Sequence, residues 1–370
     1  MIFSNLLLAS VAAAGVIKVP LKGGPAHGDI SMGQLYYLAD IEVGTPSQQV
    51  KSVIFDTGSG HLWVPGTNST ACLQGQCQQG VSFDISASKT WKFNGYAPGW
   101  DGNGITGNDT VKYAGLDVDM QVWVSLDTID NNLGVFGQGP LKGDDAQASY
   151  AESLAAAGKI PRSIFSLNSE EPIGTHETSS SWDHVISNVY YGGFDSKKYE
   201  GPLTTVEIED VDYEFYQVPI SGFKVDGKDV QQDVKHSVIL DTGGITLELS
   251  NSTVGQISNQ HNGGYDSNGW YVDCGAKPTL EYVFGTTFVP VDFSIFIRKD
   301  DQGKCRFPDI TIAPDDQKTL LTGPPLISRA LVIFDSTKRQ VTIAKAKYTQ
   351  ESDIVELSGD IPGAVHVWSN

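Results

Sequence analysis

Two identical triplets, Asp56-Thr57-Gly58 and Asp241-Thr242-Gly243, each close a short apolar run, Val53-Ile54-Phe55 and Val238-Ile239-Leu240. That pattern places a carboxylate where a buried strand breaks into a tight turn. The copies stand 241 − 56 = 185 residues apart in a chain of 370, so each half supplies one carboxylate to a shared site. Two carboxylates held within hydrogen-bond distance do not both ionise cheaply, and the pair keeps one proton over a wide acidic range. The charged member can deprotonate a water while the protonated member hydrogen-bonds to a substrate carbonyl. This chemistry uses no metal, no cofactor and no nucleophilic side chain. A single triplet reads as an ordinary turn, because Asp and Gly suit turns for conformational reasons alone. Two copies after apolar strands, half a chain apart, favour the paired site.

Strands must deliver both aspartates. Strand-like stretches run from Leu35 to Val43, ending in Gly44-Thr45-Pro46, and from Val189 to Asp195. Helical patterns are brief; the clearest, Ala148 to Ala157, is stopped by Gly158 with Pro161 beyond. Forty glycines and a charged fraction of 19% fit many strands and tight turns. The order of elements predicts an all-β, mainly antiparallel protein of two lobes with few short helices. The expected organisation is a signal peptide at 1–15, a short propeptide or linker at 16–32, an N-terminal lobe at 33–195, a C-terminal lobe at 196–350 and a tail at 351–370. A polar, serine-rich loop at 174–183 precedes the boundary between lobes.

The net charge of −19 argues against a nucleic-acid partner, which needs clustered Lys and Arg, and suits either an acidic medium or simple solubility. Residues 1–15 have the form of a secretory signal, although no basic residue precedes the apolar stretch. That stretch is too short to span a membrane and the C-terminal residues do not read as a lipid-anchor tail, so a secreted protein without a membrane anchor is expected. Four cysteines fall into two local groups, Cys72 with Cys77 and Cys274 with Cys305. Three pairings are possible; the local one follows if each lobe folds separately, and a zinc site, its rival, lacks ligand spacing. Asn68, Asn108 and Asn251 open glycosylation sequons, which also arise by chance.

The run Phe55-Asp56-Thr57-Gly58-Ser59-Gly60-His61-Leu62-Trp63-Val64-Pro65 closely resembles the first active-site motif of pepsin-like aspartic endopeptidases, and the chain looks like a fungal secreted type. Supporting matches extend from Ile41-Glu42-Val43-Gly44-Thr45-Pro46 to Leu331-Val332-Ile333-Phe334-Asp335, about residues 33–348, and the local cysteine pairs resemble the family's disulfides. The resemblance implies a bilobal pepsin-like fold with a central cleft and a β-hairpin flap, acting on polypeptide substrates as a monomer. It implies catalytic Asp56 and Asp241, with Thr57, Gly58, Ser59, Thr242 and Gly243 among the substrate-binding residues and the substrate backbone bonded to Gly58, Gly243 and the flap. It also puts Tyr96 at the flap tyrosine with Ala97 beside it, since Asp109-Thr110-Val111 resembles the returning strand. Trp63 resembles the tryptophan that bonds this tyrosine, and Val135 lies in a loop behind the first aspartate, lining either the cleft or the core. Apolar residues beside the scissile bond are expected.

Departures from the family pattern fall close to the chemistry. Ala97-Pro98-Gly99 follows the tyrosine where relatives carry Gly, a polar residue and Gly; Pro98 at the tip would remove one N–H donor to substrate, worth about 1 kcal/mol. Gly244 stands where relatives place a hydroxyl against the second aspartate, as Ser59 does for the first, and Ile245 replaces a hydroxyl that reaches substrate. Hydrogen bonds to a carboxylate favour its charged form. Asp56 is therefore expected to be mainly charged and Asp241 mainly protonated. The stretch Val16-Ile17-Lys18-Val19-Pro20-Leu21-Lys22 resembles only the opening strand of the family's longer basic propeptide, which leaves zymogen activation open. A non-catalytic homologue binding peptide or protein through the cleft is the competing reading, motivated by Gly244 and Pro98.

Overall fold

Runs of alternating or continuous apolar residues carry most of the chain into strands. In the computed structural model, residues 15–25, 35–77, 80–99, 102–127, 133–140, 148–173, 185–209 and 215–367 are described. Most of the expected signal segment and the serine-rich loop at 174–183 lie outside them.

The first half forms β1 (Ile17–Pro25), β2 (Leu35–Val43), β3 (Gln48–Asp56), β4 (Leu62–Pro65), β5 (Lys92–Gly99), β6 (Gly102–Tyr113), β7 (Leu116–Ser125), β8 (Val135–Gly137), β9 (Ile164–Ser169), β10 (Val185–Tyr191), β11 (Gly193–Asp195) and β12 (Tyr199–Glu207). Most of these join one fourteen-stranded sheet, ordered 364–367, β12, 340–346, 330–335, β9, β10, β1, β2, β3, β8, β4, β7, β6, β5. The sheet runs from the last strands of the chain to the hairpin β5–β6, and so joins the two halves. Strands 237–240, 247–250, 310–313 and 319–322 lie in a separate five-stranded sheet of the second half. The fold is the all-β, bilobal pepsin-like one.

The same local arrangement appears once in each half. Strand β3 pairs parallel with β8, setting Phe55 opposite Phe136 and Asp56 opposite Gly137, while β4 returns antiparallel to β8. Strand 237–240 pairs parallel with 319–322, and 247–250 returns beside it with Leu247 opposite Thr322. Each aspartate thus leaves a buried strand, and the chain re-enters on the far side of a third strand that holds the turn from below. Beneath the turns, Phe55 meets Phe165 edge-on at 6.1 Å, and Phe165 stacks on Phe334 at 4.9 Å, so the cores of the halves are continuous. Burying one such ring contributes about 2–3 kcal/mol.

Segments expected outside the lobes carry strands. Within 16–32, β1 is flanked on both sides, by β10 and by β2, with Leu21 fully buried. Within 351–370, residues 354–356 pair with β11 and 364–367 run parallel to β12. The Asp195 carboxylate accepts from the Asp353 N–H at 2.8 Å and from the Ser352 hydroxyl at 2.6 Å. The expected helix forms over Tyr150–Ala156, with Ser149 and Glu152 closing a reciprocal capping box. Both local cysteine pairs are bridged, Cys72 with Cys77 and Cys274 with Cys305. Among the described residues no helix is long and apolar enough to cross a membrane.

Candidate active site

The two triplets meet. Thr57 N–H donates to Thr242 Oγ1 at 2.9 Å and Thr242 N–H donates to Thr57 Oγ1 at 3.0 Å. Each hydroxyl then donates across the junction, Thr57 to the Leu240 carbonyl at 2.6 Å and Thr242 to the Phe55 carbonyl at 2.5 Å. Both side chains are fully buried, each hydroxyl donating once and accepting once, so they lock the turns together and have no surface to offer a substrate. They hold the two halves together, in place of the substrate-binding role that the resemblance implies for them.

The glycines bring the carboxylates together. A Cβ on Gly58 would lie 2.3 Å from Asp241 Cγ, and one on Gly243 would lie 2.5 Å from Asp56 Oδ1. Each turn therefore approaches the opposite aspartate more closely than any other residue allows. The Gly58 and Gly243 N–H groups each donate at 2.7 Å to Oδ1 of the aspartate two residues earlier. From below, Gln138 N–H donates to the Asp56 carbonyl at 2.7 Å, and Asp241 N–H donates to the Thr322 carbonyl at 3.0 Å. A side chain on Gly137 would meet His61 N at 2.4 Å, and one on Gly323 would meet Gly244 O at 2.0 Å. Gly137 belongs to the loop that resembles the family's support behind the first aspartate, whereas neither Gln138 nor Gly323 stands out in the sequence, because their role depends on which backbone crosses them.

The halves part company beside the carboxylates. Ser59 Oγ donates to Asp56 Oδ2 at 2.5 Å, whereas Gly244 offers Asp241 no hydroxyl. Burial pushes the Asp241 carboxyl well above its ordinary value, the nearby Asp56 charge and a hydrogen bond with Asp56 push the same way, and the Gly243 and Gly244 N–H groups oppose them. Two carboxyls this close titrate as a pair that shares a proton.

Hairpin β5–β6 rises next to this site, with Ala97 opposite Gly104 and Pro98 opposite Asn103. Pro98 thus sits in the paired part of the hairpin, and the residues between Gly99 and Gly102 lie outside the described ones. Tyr96 is 78% exposed and packs on Phe93 at 5.4 Å. Trp63 is 7% exposed and lies edge-to-face on Trp123 at 5.6 Å. The indole that reaches the hairpin belongs to Trp123, whose Nε1–H points to the Ala97 carbonyl at 3.4 Å, in place of the expected Trp63–Tyr96 contact. Val135 is buried among Tyr36, Ile54, Trp63 and Trp123, with Ala97 and the second-half residue Ile245 packed against that cluster.

A family model described as eukaryotic aspartyl protease matches residues 36–346. The chain belongs to this family. As an aspartic-type endopeptidase it takes polypeptide substrates. It is similar to Candidapepsin-3 of Candida albicans (strain WO-1), 26% identical over 349 residues that cover 88% of this chain and 83% of that protein. Rhizopuspepsin-4 of Rhizopus niveus is 27% identical over 83% of this chain and 77% of its own length. Aspartic proteinase yapsin-3 of Saccharomyces cerevisiae is 25% identical over 91% of this chain and 72% of its own length.

The sequons fall on different surroundings. Asn68 and Asn251 are exposed, and Asn251 Oδ1 accepts from Trp270 Nε1 at 2.8 Å. Asn108 is half-buried in β6, opposite Gln121 of β7.

Proposed function

We propose that the protein cleaves peptide bonds in acid with a water held between Asp56 and Asp241, Asp56 mainly charged and Asp241 mainly protonated. The observation that carries this reading is the unequal support of two carboxylates brought together by Gly58 and Gly243: Ser59 donates to Asp56, and Gly244, at the matching position, has no hydroxyl to give Asp241. The charged member takes a proton from the water, and the protonated member donates to the scissile carbonyl as the tetrahedral centre forms.

Substrate lies extended between the turns and the hairpin. The Gly58 and Gly243 N–H groups are engaged by the aspartates, so their carbonyl oxygens remain for its backbone. The cluster of Val135, Trp63, Ala97 and Ile245 favours apolar side chains near the scissile bond. Relatives such as Secreted aspartic protease 3 of Candida albicans are named as secreted, and with the leader-like residues 1–15 and two disulfides this supports secretion after signal removal. The lobe boundary near 195 belongs to the same reading. A cut after Pro25 would withdraw a strand flanked on both sides, so the secreted enzyme keeps β1. N-terminal sequencing of secreted, active protein checks this: a start beyond residue 25 would refute it.

The activity itself is tested by cleavage of a denatured protein across acidic pH, with Asp56→Asn as control. Cleavage by the parent alone is expected; equal cleavage by both would remove Asp56 from the mechanism.

A further inference from the structure

Trp123 is engaged on three sides at once. On β7 it lies beside Trp63, whose strand runs parallel to its own, with the rings 5.6 Å apart at 86°. Across the sheet its register partner is Thr106, and the indole leans along β6 to the diagonal neighbour Gly104. A Cβ on Gly104 would lie 2.2 Å from Trp123 Cε2 and 2.4 Å from Cζ2 and Nε1, so the ring rests on bare backbone where any side chain would collide. Its Nε1–H points to the carbonyl of Ala97, the residue paired with Gly104 across the hairpin. One indole therefore touches both strands of the hairpin at the same level.

The nearby aromatic residue of the hairpin does not do this. Tyr96 is turned out to solvent against Phe93. Trp123, in contrast, is packed in the cluster that includes Ile54, two residues before Asp56, and against which Ile245 of the second half rests. A ring held by Trp63 on one side and by Gly104 on the other thus ties the hairpin to the cluster behind the first aspartate.

We propose that Trp123 is the positioning residue for the flap, setting its distance from Asp56 and Asp241 through Gly104 and Ala97. This rests on the hairpin acting as the element that closes over bound peptide. Its effect is on substrate capture rather than on the proton-transfer step, because the indole touches neither aspartate.

Three variants with one peptide substrate test it. Trp123→Ala removes the ring, Gly104→Ala lifts the flap off it, and Trp123→Phe keeps the ring contacts while deleting the N–H. For the first two we expect KM to rise about tenfold while kcat falls less, and faster hydrogen exchange in the amides of residues 93–106. Trp123→Phe should raise KM by about twofold to fivefold. Because the second substitution acts through the ring, Gly104→Ala should add nothing in a Trp123→Ala background. An unchanged KM and unchanged flap exchange in folded Trp123→Ala and Gly104→Ala would overturn the proposal, as would independent, additive effects. If Trp123→Ala does not fold, unchanged KM and exchange in Gly104→Ala and Trp123→Phe overturn it on their own. Loss of proteolysis in the Asp56→Asn control bears on the carboxylates and leaves this comparison, made between active variants, separate.

Discussion

The turn at Asp56 and the turn at Asp241 share a backbone and differ by a hydroxyl. In both, an apolar strand ends in Asp-Thr-Gly, the glycine N–H donates to Oδ1 at 2.7 Å, and a third strand supports the turn through a glycine with no room for a Cβ. The threonines exchange their bonds reciprocally across the junction. Past the triplet the likeness stops: Ser59 donates to Asp56, and Gly244 leaves Asp241 to burial and to its neighbour's charge. Backbone geometry thus brings two carboxylates together, and in the proposed mechanism one side chain, Ser59, favours the charge on Asp56.

The comparison breaks most severely at the carboxylates. Asp56→Asn and Asp241→Asn should each lower kcat by at least about 10²–10⁴-fold, since the acid and the base are both indispensable. Single-turnover cleavage of a peptide checks this, and a large loss in one variant alone would mean that the halves are not a pair.

The next effect is on stability, where the halves should behave alike. Thr57→Val and Thr242→Val each delete a buried donor to the opposite half and leave an opposing N–H unpaired, at a cost of about 2–4 kcal/mol. Urea unfolding should give similar losses for the two. A loss confined to one would show that the junction is less symmetric than its hydrogen bonds.

A smaller effect separates the halves again. The folded Asp241 carboxyl is raised above its ordinary 3.8 by burial and by Asp56, so it takes up a proton more readily folded than unfolded. Its contribution to stability is then fully present below about pH 3.8 and is lost as pH rises through the folded value. Asp241→Asn, which carries no charge at any pH, should gain in melting temperature over the parent near pH 7 and lose that advantage near pH 3.5. Parallel melting curves across this range would argue against a buried, proton-holding Asp241.

What was legible in the sequence was local. The triplets, the apolar strands before them, the helix between Ser149 and Gly158 and the cysteine pairs all depend on neighbours within a short stretch of chain. The Ser59/Gly244 contrast was legible for the same reason, because the hydroxyl acts on an aspartate three residues away. Trp123, Gln138 and Gly323 were not, since their meaning comes from strands that cross them from elsewhere. Thr57 and Thr242 resemble substrate-binding residues in the sequence, because the carbonyls their hydroxyls reach lie in the opposite half of the chain. Residues 16–32 read as a propeptide or linker because β1 is short and holds lysines; its pairing with β10, more than 160 residues later, is not a local property.

The central claim is that the Ser59 hydroxyl makes the two aspartates unequal, and the pH–rate profile of Ser59→Ala tests it most directly. Losing a hydrogen bond to a charged carboxylate removes about 1.5–3 kcal/mol of support, so the acid limb of kcat/KM should move up by about one pH unit or more. The alkaline limb, which reports the second proton of the pair, should move much less. An acid limb that stays in place in a folded, active Ser59→Ala enzyme would contradict the account.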